Sequence, residues 1–479
     1  MTTSNLVQKI WSFCDTLRDD GLGYNDYLEQ LTYLLFLKMA DENNSKYNLP
    51  SICDWSTLLS LKGGTLLDQY ERVLKSLADA GGMLNKIFSG SQNKIHDSSK
   101  LHKLINLINE ENWTSTGLDI KGEIYESLLQ KNAESSGAGQ YFTPRSVIQA
   151  IVECIKPSPQ ETIADPSCGT GGFFLGALEY LQKTYKLSEK DNTFIKFDTF
   201  HGWEIERATA RLCLMNLYLH GIGDLKKTPD IHVVDSLKHS PKEKVKIVLA
   251  NPPFGKSSSD IPTVDEKQAG KDGYFLRKDF WVTTSNKQLA FLQHIVNMLQ
   301  DGGRAAVVLP DNVLFEGGAG EIVRKRLLEN VCLHTILRLP TGIFYAQGVN
   351  ANVLFFEKVI NRKASDLKDI WFYDYRTNIH HTPKKNPLTF ESLIPFVDCF
   401  NKAKREETWS ESNPQGRWRR YRYEEILSRD KVNLDIFWLR DESVIDLSTF
   451  PDPETLIEEV IENLESVLMD FKRIKDSLN

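Results

Sequence analysis

The 479-residue chain has no run approaching the roughly 18 consecutive apolar residues that a membrane-spanning helix needs. Its opening residues, MTTSNLVQKIWSF, lack the long apolar core and small-residue cleavage site of a secretory leader. Seven cysteines (Cys14, Cys53, Cys154, Cys168, Cys213, Cys332 and Cys399) form no CxxC pair, and the ten histidines form no HExxH motif. The common zinc signatures are therefore excluded and no metal is expected. An odd, dispersed set of thiols is expected to be reduced, which points to the cytoplasm and away from a membrane. No GxxxxGK[ST] loop occurs, so an ATP-driven motor is not expected within this chain. Positive charge is also short: the net charge of -7 argues against broad, non-specific nucleic-acid binding by the chain alone, while leaving room for a local basic groove or a basic partner.

What is present suits more than one core. The chain is 41% hydrophobic and 26% charged, and its length predicts two or three domains. Residues 1–135 read as a helical N-terminal domain: Tyr24, Tyr27, Leu28, Leu31, Leu34 and Leu35 recur at helical spacing. The small-residue segment NAESSGAGQYFTPR follows, as a linker or functional loop. Over 136–440, short strand-like runs alternate with helical ones, which predicts βαβ units, a mainly parallel sheet covered by helices, and ligands at the carboxyl ends of its strands. The segment 255–275 reads as the most loop-like part and is expected to order only when a ligand enters beside it. Residues 441–479 form a last segment. Asp452 and Pro453 make a good helix start, and Ile457, Val460, Leu464, Val467, Phe471, Ile474 and Leu478 form an a/d seam. That seam suits a helix packed on its own domain or one that pairs with another protein's helix.

The stretch IADPSCGTGGFFLGAL passes from strand to helix through Gly169, Gly171 and Gly172. Such a turn lets backbone amides approach a phosphate or a carboxylate closely. A pyrophosphate site would carry a clean GxGxxG. Here Asp165 precedes the turn, and an acid beside a helix N-terminus suits a ligand with both an ammonium and a carboxylate, as an amino acid has. Glu204 in FHGWEIE ends the next strand, where an acid suits ribose hydroxyls. It stands further from the glycines than the usual ~20 residues, across the polar insert LSEKDNT, and Glu206 is an alternative on the same side. Asp235 in VVDSL ends a third strand, placed to accept from an adenine amino group. An amino acid, a ribose and an adenine together describe S-adenosylmethionine.

The fourth strand ends in IVLANPPF. Two prolines remove donors and stiffen the turn, which frees the strand's last carbonyls as acceptors. The Asn251 side chain and the Pro252 carbonyl then suit the two hydrogens of a planar NH2 group, drawing its nitrogen out of conjugation. Phe254 offers a face on which a base can stack. The same acceptors would suit an adenine, an RNA base or a glutamine side chain.

Together, GQYFTPR, ADPSCGTGGF, LANPPFG and LRLPTGIFYAQGVNANVLFFEK resemble the modification subunits of type I restriction–modification systems, a family of N6-adenine DNA methyltransferases. The resemblance covers nearly the whole chain. It implies a Rossmann-like methyltransferase sheet that uses S-adenosylmethionine, with a helical N-terminal domain and a C-terminal helix. It places Gln140, Tyr141, Phe142 and Thr143 over the methionine end of the cofactor, Asp165 on its amino group, Gly169 and Gly171 in backbone contact, Glu204 on the ribose and Asp235 on the adenine. Asn251, Pro252, Pro253 and Phe254 would then hold the target adenine, with Phe344 as a second wall of the base pocket.

A base inside a duplex must be flipped out to reach such a pocket. No zinc finger, plain helix-turn-helix signature or long basic arm is present. The richest basic-aromatic run, GRWRRYRYEEI, suits phosphate contact or a solvated surface equally. The resemblance therefore implies a separate specificity subunit docked on the C-terminal helix, two modification chains clamping double-stranded DNA, and a restriction subunit for the ATP-driven steps.

Overall fold

Apolar residues at helical spacing build the first layer. The structure, a computed structural model, describes residues 23–42, 49–110, 143–224, 226–344, 350–359, 369–382, 386–402 and 405–440. Helix α1 (Tyr24–Glu42) buries Tyr27, Leu28, Leu31, Leu34 and Leu35, and also Tyr33, Phe36 and Leu37. It is a core helix, not one with a single apolar stripe. Helices α2 (Trp55–Ser60), α3 (Gly64–Asp79), α4 (Gly82–Phe88) and α5 (Ser98–Asn109) pack around it. Asp54 and Asp97 cap two of them, each accepting from backbone amides of the first turn.

Helix α6 (Arg145–Ile155) leads into the alternating part. Its elements are β1 (Ile163–Asp165), α7 (Gly172–Thr184), α8 (Glu189–Phe197), β2 (Phe200–Trp203), α9 (Arg207–Leu219), β3 (Asp230–His232) and β4 (Val245–Ala250). Then come β5 (Ile261–Thr263), α10 (Glu266–Ala269), β6 (Tyr274–Leu276), α11 (Lys287–Met298), β7 (Leu299–Pro310), α12 (Asn312–Phe315), α13 (Ala319–Asn330), β8 (Cys332–Leu339) and β9 (Ala351–Glu357). Strand β10 (Asp369–Asp374), α14 (Phe390–Asn401), β11 (Trp418–Arg422) and α15 (Tyr423–Ser428) complete the order. Among the described residues, nine strands form one sheet in the order β11-β10-β8-β9-β7-β4-β1-β2-β3. The chain is of the α/β class with a mainly parallel sheet; only β9 and β11 run against their neighbours.

Strand β1 pairs in parallel with both β2 and β4. The chain leaves β1 toward one edge of the sheet and returns on its other side, so a crevice opens at the carboxyl ends of β1 and β4. The pleat sorts the core. Ile163, Ile247 and Leu249 face the layer that contains the helical N-terminal region, while Ala164, Val248 and Ala250 face α11 and α13. The two helical layers meet edge-on where Phe36 of α1 approaches Tyr218 of α9, ring centroids 5.8 Å apart.

Two expectations change. The insert before Glu204 is helix α8, opened by a capping box in which Ser188 and Asp191 satisfy each other's backbone amides. The extra helix accounts for the long spacing. The segment 255–275 is not featureless either: β5 and β6 pair in parallel around α10, and the Thr263 hydroxyl, fully buried, bonds Gln268 and Thr283. Pro262 argues against a strand in sequence. It is tolerated because each strand of this pair has a neighbour on one side only. No described helix is long and apolar enough to cross a membrane. The C-terminal seam lies outside the described residues.

Candidate active site

At the crevice a cavity of about 630 Å³ opens, within the range of small-ligand sites. Thr143, Asp165, Gly169, Glu204, Asp235, Asn251 and Pro253 all line it. Four separate strand ends and the start of α6 thus converge on one space. Gln140, Tyr141 and Phe142 lie outside the described residues.

Asp165 closes β1 and is 2% exposed. Its carboxylate accepts from the Ser167 amide at 2.9 Å, and no described lysine, arginine or histidine pairs with it. Burial first, and then the charge of Glu204, push its pKa up to about 8. An acid in that state ionises more readily once a cation lies beside it. Beyond it, Gly169 and Gly171 adopt positive φ (55° and 85°), which only glycine takes without strain. Gly171 caps α7. The Gly169 amide donates to Glu204 at 3.1 Å, so the glycine turn is engaged by a carboxylate 35 residues away. A pyrophosphate would meet two acids and an amide already bonded, which disfavours a phosphate ligand at this turn.

Glu204 also accepts from the Glu206 amide at 2.8 Å, and burial raises its pKa. Glu206 lines the cavity too, but its side chain caps α9 at Ala208. The carboxylate bound to the glycine turn is therefore Glu204's. Asp235 accepts from the Leu237 amide at 2.9 Å and opens a short helical turn over Ser236–Lys238. The apolar neighbours of these acids escaped the sequence reading. Ile205 is 70% exposed and Val234 47%, and both line the cavity with Trp203 and Phe291. Their signal was an apolar residue touching an acid at a strand end, where ordinary core residues are absent.

The mouth of β4 is held from several sides. The Asn251 side chain donates Nδ2–H to the Thr143 hydroxyl at 2.9 Å, and the Asn251 carbonyl accepts a long 3.4 Å bond from Ser167 Oγ. The Pro253 carbonyl accepts from Gln288 of α11 at 3.0 Å, and the Lys287 amide bonds the Gly255 carbonyl at 3.1 Å. The expectation that the prolines free the strand's last carbonyls is thus narrowed. Those of Asn251 and Pro253 have donors within the protein, whereas no described residue donates to that of buried Pro252. Phe254 and Phe344, 90 residues apart in chain numbering, meet edge to face with centroids 6.5 Å apart at 71°.

Below this mouth, Arg277 is fully buried. It grips Asp279 through two 2.8 Å bonds and donates to the Leu237 carbonyl and to the His294 ring. Burial, and then Arg277, push the His294 pKa down to about 3, which keeps the ring neutral and able to accept. The β5–β6 unit is anchored in this way under the turn that carries Asp235.

A buried carboxylate with no cationic partner among the described residues, a glycine turn closed by a second carboxylate, and a third acid beside exposed apolar residues form a donor and charge set that fits S-adenosylmethionine.

Comparison with known proteins points the same way. The family described as N-6 DNA Methylase matches residues 116–424, and the HsdM N-terminal domain matches residues 6–110. The chain is 37% identical to the type I restriction enzyme EcoKI methylase subunit of Escherichia coli (strain K12), over 100% of this chain and 96% of that protein. It is 38% identical to the StySJI methylase subunit of Salmonella typhimurium, with the same coverage. Among solved structures, the EcoKI M protein superposes with a TM-score of 0.55 at 34% identity, covering 99% of this chain and 96% of the other. A chain from a structural study of type I R-M complex assembly reaches 0.71 at 25% identity, covering 100% and 99%.

Proposed function

Because the chain belongs to the N-6 DNA methylase family, among the methylase subunits of type I restriction enzymes, it is an S-adenosylmethionine-dependent, adenine-specific DNA methyltransferase, and we propose that the cavity described above is where it works. Asp165 would hold the cofactor's ammonium, Glu204 its ribose hydroxyls and Asp235 its adenine amino group, with Gly169 and Gly171 in backbone contact. The Gln140–Thr143 segment would cover the methionine end. When bound, the cofactor supplies a methyl group on a sulfonium, an electrophile that needs no metal.

The chain's own residues prepare the nucleophile. Asn251 Oδ1 and the Pro252 carbonyl accept the two hydrogens of the adenine amino group. Held this way, N6 loses conjugation with the ring and its lone pair turns outward. Positive charge develops on N6 as it takes up the methyl group, two fixed acceptors stabilise it most at that point, and N6 then loses one of its two protons to solvent to become neutral. Phe254 takes the flipped ring on its face, with Pro253 shaping the turn and Phe344 as a second wall. The observation that carries this reading is that Asn251 and Asp165, nucleophile holder and cation holder, line one cavity.

The same reading divides the chain into a helical N-terminal domain (1–135), a catalytic domain (136–440) and a C-terminal segment (441–479). The sequence of the DNA site is read by a separate specificity subunit, and the enzyme assembles with it, with a restriction subunit and with double-stranded DNA. We infer that the a/d seam from Ile457 to Leu478 is the helix that docks the specificity subunit, that two copies of this chain flank the DNA, and that the complex acts in the cytoplasm.

The test is transfer of labelled methyl groups from S-adenosylmethionine to duplex DNA, with and without the specificity subunit. Transfer to N6 of adenine only when that subunit is present is the expected result. Strong sequence-selective methylation by the chain alone would remove the multisubunit part of the reading.

A further inference from the structure

The cavity wall is not built by the sheet and its crossover helices alone. Glu29, in the second turn of α1, lines it beside Ala208, Thr209 and Leu212 of α9. It is the one lining residue that the helical N-terminal region contributes among the described residues.

Glu29 is gripped from three sides. The Tyr33 hydroxyl donates to Oε1 at 2.9 Å, Lys94 Nζ lies 3.3 Å from Oε2, and the Arg211 guanidinium closes an ion pair on Oε1. Arg211 belongs to α9, on the catalytic side, and its side chain is 7% exposed. Among the described residues, its other side-chain hydrogen bonds and ring contact reach into the helical region: one bond to the Tyr33 hydroxyl, one of 2.8 Å to the Ser89 carbonyl, and a position over the Tyr33 ring. Leu212, next to Arg211 in sequence, and Thr209, two residues before it, line the cavity. A guanidinium this buried holds its place only while its acceptors stay, because an unpaired buried charge is strongly unfavourable. Displacing α1 therefore loosens the turn of α9 that carries part of the cavity wall.

We propose that Glu29 is a positioning residue of the cofactor site. Through Arg211 it ties the helical N-terminal region to the wall of the pocket, so that the seating of that region and the occupancy of the pocket stabilise each other. The inference rests on the methyltransferase reading. Linkage makes the coupling reciprocal: a displaced α1 weakens the cofactor by the same factor by which the cofactor resists displacement of α1.

The experiment titrates the full chain with S-adenosylmethionine by calorimetry, comparing wild type, Glu29→Gln and the charge exchange Glu29→Arg with Arg211→Glu. Amide hydrogen exchange across α1 is followed with and without cofactor. Glu29→Gln is expected to raise the cofactor Kd about tenfold. At saturating cofactor, with the specificity subunit and DNA present, kcat should stay within about twofold of wild type. The charge exchange should recover most of the affinity. Cofactor should slow exchange in α1 of the wild type and do so much less in Glu29→Gln. Should Glu29→Gln fail to fold, Arg211→Lys is measured in the same way and should shift Kd in the same direction. A folded variant whose Kd matches wild type, with α1 equally protected, would overturn the proposal, even if its thermal stability fell. Failure of the wild type to bind the cofactor at all would sink the methyltransferase reading itself, and this inference with it.

Discussion

The amide nitrogen of Asn251 donates a 2.9 Å hydrogen bond to the hydroxyl of Thr143, across 108 residues of chain. Both residues are buried. In this arrangement the amide nitrogen faces the start of α6 and Oδ1 faces the other way. Thr143 thus contacts the residue proposed as the amino-group acceptor, while belonging to the segment expected to close on the cofactor.

Removing that bond separates orientation from presence. Thr143→Val keeps the shape but loses the hydroxyl, so the amide can turn, and kcat should fall about tenfold, the effect of one buried hydrogen bond. Asn251→Ala removes the acceptor and should lower kcat by about a thousandfold, with cofactor affinity largely kept. Single-turnover methylation with the specificity subunit, alongside cofactor calorimetry, measures both. Activity surviving in Asn251→Ala would refute the amino-group mechanism.

Asp165 predicts a pH dependence with a definite sign. Its pKa lies near 8 in the cofactor-free protein, against an ordinary 3.8. Between those values the folded chain holds a proton that the unfolded chain has lost, so stability without cofactor should fall as pH rises through that window, by at most about 1.4 kcal/mol per pH unit. An ammonium group favours the ionised form, so cofactor affinity should rise over roughly pH 6–8 and then level off. Near neutrality, binding should release close to one proton, seen as a buffer-dependent heat in calorimetry. Asp165→Asn should flatten the profile. An affinity independent of pH in the wild type would contradict the assignment.

The pair Phe254 and Phe344 should behave as one wall. Each alanine substitution should weaken productive DNA binding, seen as a raised KM for DNA, with less effect on the cofactor. The double substitution should fall short of the sum by about 0.5–1.5 kcal/mol, the usual size of an edge-to-face coupling. Strict additivity would mean that the rings act on different parts of the DNA.

Gly171→Ala tests the turn. Its φ is +85°, and a Cβ there would sit 3.0 Å from the Cys213 sulfur. The left-handed backbone alone costs about 1–2 kcal/mol for an alanine, and denaturant melts should show at least that loss. Cofactor affinity should fall as well, because the cap of α7 must shift.

The docking role proposed for the seam from Ile457 to Leu478 is tested by Leu464→Asp together with Val467→Asp. Two charges in the a/d seam should abolish co-purification with the specificity subunit, since a charge at the seam must be desolvated. Cofactor binding by the chain alone should be unchanged.

Much of this protein was readable from its chain. Residues of local character declared themselves: glycines where φ must be positive, the acids beside them, and two prolines ending a buried strand. Strand and helix periodicity named the class, because burial on a sheet face and on a helix face demand different spacings. Short elements hid. The three-residue strand β5 carries a proline, and α8 begins within a polar insert, opened by a capping box at Ser188 and Asp191.

What sequence alone determined was therefore the kind of chemistry: its acceptors, its acids and its cofactor class, since these depend on residue type and local backbone. The tertiary structure decided which atoms meet. It chose Glu204 over Glu206 for the glycine turn, joined the Asn251 side chain to Thr143, and brought Glu29 to the cavity from the far side of the chain. Those relations span 35 residues or more, and no local preference encodes them. They arise when β1 and β4 pair and the helical layer packs against α9, because only then do distant side chains share one buried space.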